Sequence, residues 1–420
     1  MKQMYNVLIL CHRRGWNKLT NFILGLNKLD YRVTIVSDEW LGKDYEQFGL
    51  DKAYEVCINQ NFNVKEILLH TPTVDIIYSV NENLLPIQAQ LEKHYGLNNV
   101  SEHAAEILSH KDKLDIYCRS IGLGDYVPDS IVPSTPSDLD MFNDRAFIIK
   151  PTVGTGTKRY GKYSSLEYYG FNNKADFLKY LELNNLESFF DDNVEGFIKP
   201  SFNDVKYHLI AQEFLNGEGG NFAPYTYIDS NSEVNVLWWA QQELIRSTEN
   251  GKFQELVNKS YSKEYSPHPA HVIHVLHFLT TLAKELQLKN IITSGPDVYA
   301  NSKMIDINPR PGNGMGICDA VNDNKIWPQI LSDAKADIQN HYVWQQIQLK
   351  PGKIKAVEDI SHLEQYTDIR RKQLTPGSTI PEFSFIVDPE FSYPIITSGK
   401  NRFKLGENII SQLQDSISYY

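Results

Sequence analysis

Over the first hundred residues, short apolar runs alternate with stretches of helical periodicity, and that rhythm leaves few folds open. The runs are Asn6–Cys11, Arg32–Ser37, 54–58 and 74–80, and the helical stretches are 19–29, Val64–His70 and 84–95. Strand, helix and strand in that order build βαβ units and hence a parallel sheet. Ligands of such sheets lie beyond the carboxyl ends of the strands. There the chain carries His12-Arg13-Arg14-Gly15-Trp16 after the first run and Glu82 after the fourth. These are candidate substrate contacts, weighed against a plainer reading as polar loop surface. No GxGxxG follows the first run, which argues against a dinucleotide site.

At 420 residues the chain exceeds one ordinary core, so two or three α/β units sharing a cleft are expected. Acidic residues outnumber basic ones 52 to 41, a net charge of -11, which disfavours a general nucleic-acid or anionic-membrane surface. Cys11, Cys57, Cys118 and Cys318 are far apart with no CxxC pair, so neither a disulfide framework nor a zinc knuckle is indicated. With no signal-like N-terminus and no 18-residue apolar run, the expected setting is the cytoplasm, without a membrane span.

A second unit is expected to open near Ser109, where Ser109-His110-Lys111-Asp112 reads as a capping box before a helix. Leu114, Tyr117, Cys118 and Ile121 share one face of it, and Lys113 lies off that face. The apolar run 146–151 then meets the loop from Gly154 to Gly161, where small residues would let backbone N–H groups approach an anion. A helix over 174–183 precedes strands around 209–215, 223–229 and 234–245. A long helix over 270–286 is expected to pack through Val272, Leu276, Leu279, Ala283 and Leu286. Beyond 350, β-like runs at 383–387 and 394–397 suggest a small closing unit.

The most chemically loaded segment is Asp297-Val298-Tyr299-Ala300, Asn301-Ser302, Lys303-Met304-Ile305-Asp306. A two-residue turn at Asn301-Ser302 sets Asp297 directly opposite Asp306. Facing carboxylates destabilise a strand pair unless a cation bridges them. Asn308 and Arg310 follow at spacings of two, on the same face of a continuing strand. Asp, Asp and Asn offer oxygen ligands alone, the set Mg²⁺ prefers, and Arg310 offers a rigid fork to phosphoryl oxygens.

Taken with other markers in order, this segment resembles the metal motif of the ATP-grasp superfamily. Lys113 is similar to the first ATP lysine of that family, and Lys150 in Ile-Ile-Lys-Pro matches the second. The loop with Gly154, Thr155, Gly156 and Thr157 looks like the phosphate lid. Gln212-Glu213-Phe214-Leu215 resembles the adenine hinge, with backbone contacts at Glu213 and Leu215 and with Glu218 on the ribose. The resemblance implies that Asp297, Asp306 and Asn308 bind one or two Mg²⁺ ions, with Mn²⁺ as a substitute, and that Arg310 and Lys150 act on the transferring phosphoryl group. Three positions depart from the family pattern: Asp306 stands where Glu is usual, Gln212 replaces a common Glu, and the hairpin is short.

The implied fold is an N-terminal parallel βαβ domain (1–108), a central lid unit (109–215), an antiparallel-sheet ATP-grasp unit (216–350) and a β-rich extension (351–420). The implied activity is ATP-dependent ligation of a carboxylate to an amine through an acyl phosphate, on amino acids or their derivatives. A small-molecule kinase and a non-catalytic nucleotide-binding module are the alternatives. A homodimer is compatible with the sequence. Arg246 and Glu82 are the weaker substrate candidates, Arg246 being as readily a surface ion pair.

Three rival motifs read more plainly. Gly156 to Tyr163 nearly spells a P-loop, but Tyr163 stands where Ser or Thr must ligate Mg²⁺. His268, His271, His274 and His277 recur every three residues and so drift around a helix, which suits a solvated or lid-facing stripe better than a zinc site. Trp238-Trp239 in a strand suggests one core and one exposed position.

Overall fold

Strands rich in Val, Ile and Leu on both faces must be covered on both faces, and the N-terminal sheet meets that condition. The computed structural model describes residues 5–12, 26, 31–38, 53–57, 62–153, 169–198, 206–215, 221–246, 253–299, 301–323, 325–331, 336, 338–348, 352–358, 376–377, 379–380, 392–398 and 402–420. Within them β1 (Asn6–Cys11), β2 (Arg32–Ser37), β3 (Ala53–Cys57) and β4 (Ile76–Ser79) form a parallel sheet in the order β3-β2-β1-β4. Leu8 and Leu10 of β1 pack with Ile67 and Leu91 of two helices, α1 (Val64–His70) and α2 (Leu85–Tyr95). Val7 and Ile9, on the opposite face, pack toward Trp238 and Trp327. The expected helix over 19–29 lies outside the described residues apart from Leu26, which is buried.

Helices α3 (Glu102–Ser109) and α4 (Lys111–Ser120) follow with a single residue between them. Ser109 is therefore not a cap: its hydroxyl donates to the Ala105 carbonyl at 2.7 Å as the last residue of α3. His110 is extended (φ -123°) and bridges to Val153, so the strand end at Val153 breaks the helix where the capping signal had suggested a start.

The next segment carries β5 (Ser130–Ile131), β6 (Phe147–Pro151), β7 (Tyr169–Phe171), α5 (Lys174–Leu183), α6 (Phe189–Glu195), β8 (Phe197–Ile198), β9 (Lys206–Tyr207) and β10 (Leu209–Glu213). Its main sheet runs β5-β10-β6-β7, closed by an aromatic core of Phe142, Phe147, Phe171, Phe177 and Phe189.

The largest sheet, antiparallel, is built from β11 (Asn221–Ile228), β12 (Val234–Arg246), β13 (Phe253–Ser262), β14 (Ile291–Ser294), β15 (Asp297–Val298), β16 (Met304–Ile305), β17 (Tyr342–Gln348) and β20 (Ser392–Ser398). The long helix α7 (Pro269–Glu285) covers one face, and α8 (Asn313–Val321) and α9 (Ile326–Leu331) contribute to the core on the other. Because both faces are covered, Trp238 and Trp239 are both buried, against the expectation of one exposed. Trp238 stacks on Tyr225 at 4.4 Å in the core shared with the N-terminal sheet. Trp239 lies against Phe222 and α7. In α7 the buried residues are Val275, Phe278, Leu279, Leu282 and Ala283, a stripe rotated slightly from the predicted one. Its histidines rest on aromatic rings: His268 and His271 on Phe222, His274 and His277 on Tyr126.

In the tail, β18 (Gly352–Val357), β19 (Thr379–Ile380) and β21 (Ile417–Tyr419) form a small sheet. Strand β20 instead pairs with β17 at the edge of the large sheet, and α10 (Arg402–Asp415) packs beside it. The expected strand at 383–387 lies outside the described residues.

Candidate active site

The site grows from the turn that joins β15 to β16. Tyr299 donates its N–H to the Lys303 carbonyl at 3.0 Å, and Ser302 closes the turn in a left-handed conformation (φ 64°). Three residues thus separate the last pair, not two, and the register moves by one. Asp297 faces Ile305, so the expected direct pairing of Asp297 with Asp306 is not formed. Asp306 is itself left-handed (φ 47°), a conformation Asp tolerates better than branched residues. Opposite it the chain needs glycine: a Cβ on Gly295 (φ 109°) would stand 2.7 Å from the Asp306 carbonyl oxygen.

The two acids still share one neighbourhood, since both act on Lys150, on Tyr299 and on Arg310. Lys150, 2% exposed, reaches in from β6, with its Nζ 3.5 Å from Asp306 Oδ1. Burial lowers the Lys150 pKa, and Asp306 opposes that fall. Burial works against ionisation of Asp306, but Lys150, Lys111 and Arg310 outweigh it and hold the carboxyl below its ordinary value. Asn308 pairs through its backbone with Ser294, and its Oδ1 accepts from Arg310 Nη2 at 3.0 Å. Arg310 is 8% exposed, and among the described residues its Nε has no hydrogen-bond partner. Oxygen donors alone, on two acids and one amide, fit a hard cation; the ammonium of Lys150 occupies that electrostatic position at Asp306.

Glu82, on the turn after β4, is 5% exposed and lies in the same field as Lys111, Arg310, Asp306 and Lys150. Burial raises its pKa, with Lys111 and Arg310 pulling the other way. The first sequence candidate for an ATP lysine, Lys113, stands apart from these charges. Lys113 is 41% exposed at its side chain and pairs with Glu106 at 2.6 Å, outside the cluster. Lys111 is the one turned inward. It is the first residue of α4, its amide donates to the Thr152 carbonyl at 2.8 Å beside the end of β6, and its charge acts on Glu82, Lys150 and Asp306. On a helix two residues span about 200°, so only one of the pair can face the strand.

At the hinge, the Glu213 amide donates to Asp129 (2.7 Å) and the Phe214 amide to Ala146 (2.9 Å), so at Glu213 only the carbonyl could serve an adenine amino group. The Glu213 carboxylate holds Lys303 of the hairpin at 2.5 Å, a brace between hinge and acids that the sequence did not announce. Gln212 and Leu215 are both buried. Gly154, Thr155, Gly156, Thr157 and Glu218 lie outside the described residues. Arg246 ends β12 opposite Phe253, and its side chain is outside them too.

No family model and no curated protein matches this chain. Solved structures do match along its full length. An L-amino acid ligase from Bacillus licheniformis superposes with a TM-score of 0.68 at 16% identity, covering 100% of both chains. The chain has the ATP-grasp fold. An N5-carboxyaminoimidazole synthetase from Staphylococcus aureus, complexed with ADP, gives 0.59 at 12% identity over 99% of each chain. An N5-carboxyaminoimidazole synthase from Aspergillus clavatus, with ADP and an aminoimidazole ribonucleotide, gives 0.60 at 12% identity over 99% of each chain. Within this ATP-grasp fold the cluster takes Lys111 from α4, Lys150 from β6, and Asp297, Asp306, Asn308 and Arg310 from the β15–β16 hairpin and the chain after it, while Glu82 follows the last strand of the N-terminal sheet. Among the described residues no helix is long and apolar enough to cross a membrane, and no group of three or more His, Cys, Asp or Glu could hold a metal.

Proposed function

We propose that this chain is an ATP- and Mg²⁺-dependent ligase that joins a carboxylate to an amine and releases ADP and phosphate. The observation that carries the reading is the convergence of three buried or half-buried cations, Lys111, Lys150 and Arg310, with two carboxylates and an amide whose cation ligands are oxygens. Phosphoryl transfer is mostly positioning and charge neutralisation, and this cluster supplies both. Lys150 and Lys111 stand beside Asp306 and would bind the phosphate chain of ATP. Asp297, Asp306 and Asn308 would hold Mg²⁺, which when bound neutralises phosphate charge.

In the first step a carboxylate oxygen attacks the γ-phosphorus, the bond to the ADP oxygen breaks, and an acyl phosphate forms. In the second, an amine nitrogen attacks the acyl carbon, phosphate departs with the C–O electron pair, and the nitrogen loses a proton. Arg310, held by Asn308 and with a buried Nε unpartnered, is placed to carry the oxygens of the acyl phosphate. Glu82 is the single carboxylate of this cluster contributed by the N-terminal sheet, the side on which substrates of such sheets bind. We assign it to the ammonium of an amino-acid substrate.

Hydroxylamine tests the reading directly. With a panel of amino acids, ATP and Mg²⁺, a hydroxamate should form together with ADP. ADP release without hydroxamate from any carboxylate would replace the ligase by a kinase on the same fold.

A further inference from the structure

We propose that His12, oriented by Asp38, is a positioning residue that fixes the Glu82 carboxylate in the active site and so sets affinity for the substrate Glu82 reads. The proposal rests on the ligase reading of that site, and it begins from a feature that reading does not use. His12 follows β1 and is 7% exposed. Its ring packs edge-on against Phe62 at 5.0 Å. Its Nδ1 lies 2.7 Å from Asp38 Oδ2, at the end of the neighbouring strand β2.

The residues on either side of Glu82 both end on this histidine. The His12 amide donates to Asn81 Oδ1 at 2.9 Å, and Asn83 Nδ2 donates to His12 Nε2 at 3.0 Å. With Nε2 accepting, the ring's proton lies on Nδ1, where Asp38 receives it. Asp38 thereby fixes both the tautomer and the ring plane that Asn83 needs. Further bonds hold the same turn: Ser79 Oγ donates to the Asn81 carbonyl at 2.5 Å, and the Leu84 amide donates to it at 2.9 Å.

A turn this heavily tied has one side chain that the ties leave to the site. Glu82 begins the 3-10 turn Glu82–Leu84, and its carboxylate lies in the field of Lys111, Arg310, Asp306 and Lys150. Its aim therefore depends on the backbone that carries it, and that backbone is clamped on both sides by His12.

The test is a double-mutant cycle with a structural arm. His12→Phe keeps the ring and its contact with Phe62 but removes both imidazole bonds. Using the amino-acid pair that gives most ADP in the panel, KM for that pair should rise roughly tenfold or more, while KM for ATP stays within about twofold. In a Glu82→Ala background, His12→Phe should add almost nothing. Asp38→Asn, which still accepts from Nδ1, should stay near wild type, and Asp38→Ala should shift KM in the same direction as His12→Phe. Equal increases in both KM values, or full additivity with Glu82→Ala, would overturn the proposal. The crystal structure of His12→Phe gives an answer that does not depend on turnover. A displaced Glu82 carboxylate with β1 and β4 unmoved supports positioning, and an unmoved one refutes it. A wild type that makes no hydroxamate removes the ligase reading and leaves the structural arm to decide the role of His12.

Discussion

At the scale of single residues, the site is decided by which of two lysines points inward. Lys111 and Lys113 have the same charge and stem, yet Lys113 sits in solvent with Glu106, whereas Lys111 lies in the field of Lys150, Asp306 and Glu82. Surface ion pairs contribute little, so Lys113→Ala should leave turnover within about twofold of wild type. On the proposed function, Lys111→Ala removes a cation that binds the phosphate chain and should lower kcat/KM for ATP by roughly tenfold or more, on the order of 1.4 kcal/mol of transition-state stabilisation. Steady-state ADP release by the two variants checks the assignment, and the reverse ranking would restore Lys113. Likewise, the left-handed conformation of Asp306 turns its carboxylate to Lys150, a feature that no reading of strand alternation contains.

Among the elements, α2 carries a buried acid that links folding to pH. Glu92 accepts from Gln88 Nε2 (2.8 Å) and from the amides of Asn99 (3.0 Å) and Val100 (2.7 Å), at 0% exposure. Burial outweighs those bonds and pushes its pKa from 4.5 up to about 7. A raised folded-state pKa means that the fold favours the neutral acid. That contribution is complete below pH 4.5 and is lost as the pH rises through 7, amounting to ~3 kcal/mol. Glu92→Gln removes the titration. Because part of the contribution is already lost at pH 5, urea unfolding at pH 5 and pH 8 should show the variant gaining on wild type by about 2.5 kcal/mol at the higher pH. A difference between variant and wild type that is constant across this range would show that Glu92 is ionised throughout.

For the molecule as a whole, the large sheet is the platform on which the parts meet. Trp238 faces the core that contains Val7, Ile9 and Trp327, and Trp239 faces the core under α7. Removing Trp238 opens a cavity where the N-terminal sheet joins the large one. Trp238→Ala should cost about 3–5 kcal/mol in urea unfolding followed by the far-UV signal. An unfolding midpoint that does not move would show that the two sheets are held together by other contacts.

The sequence by itself determined the elements and the chemical inventory. Period-two and period-3.6 patterns located β1, β2, α1 and α5 to the residue, because each buries its apolar face whatever its neighbours are. The ATP-grasp fold, which the full-length structural likeness bears out, was equally legible in the sequence. What the tertiary structure decided was direction. The strand end at Val153 breaks the chain at His110 and turns Lys111 inward, cover on both faces buries both tryptophans, and a left-handed Ser302 shifts the acid hairpin by one residue. Each of these depends on a partner distant in the chain or on a single backbone dihedral. Local periodicity fixes which face of an element is apolar, but only packing fixes where a polar side chain on its edge will point.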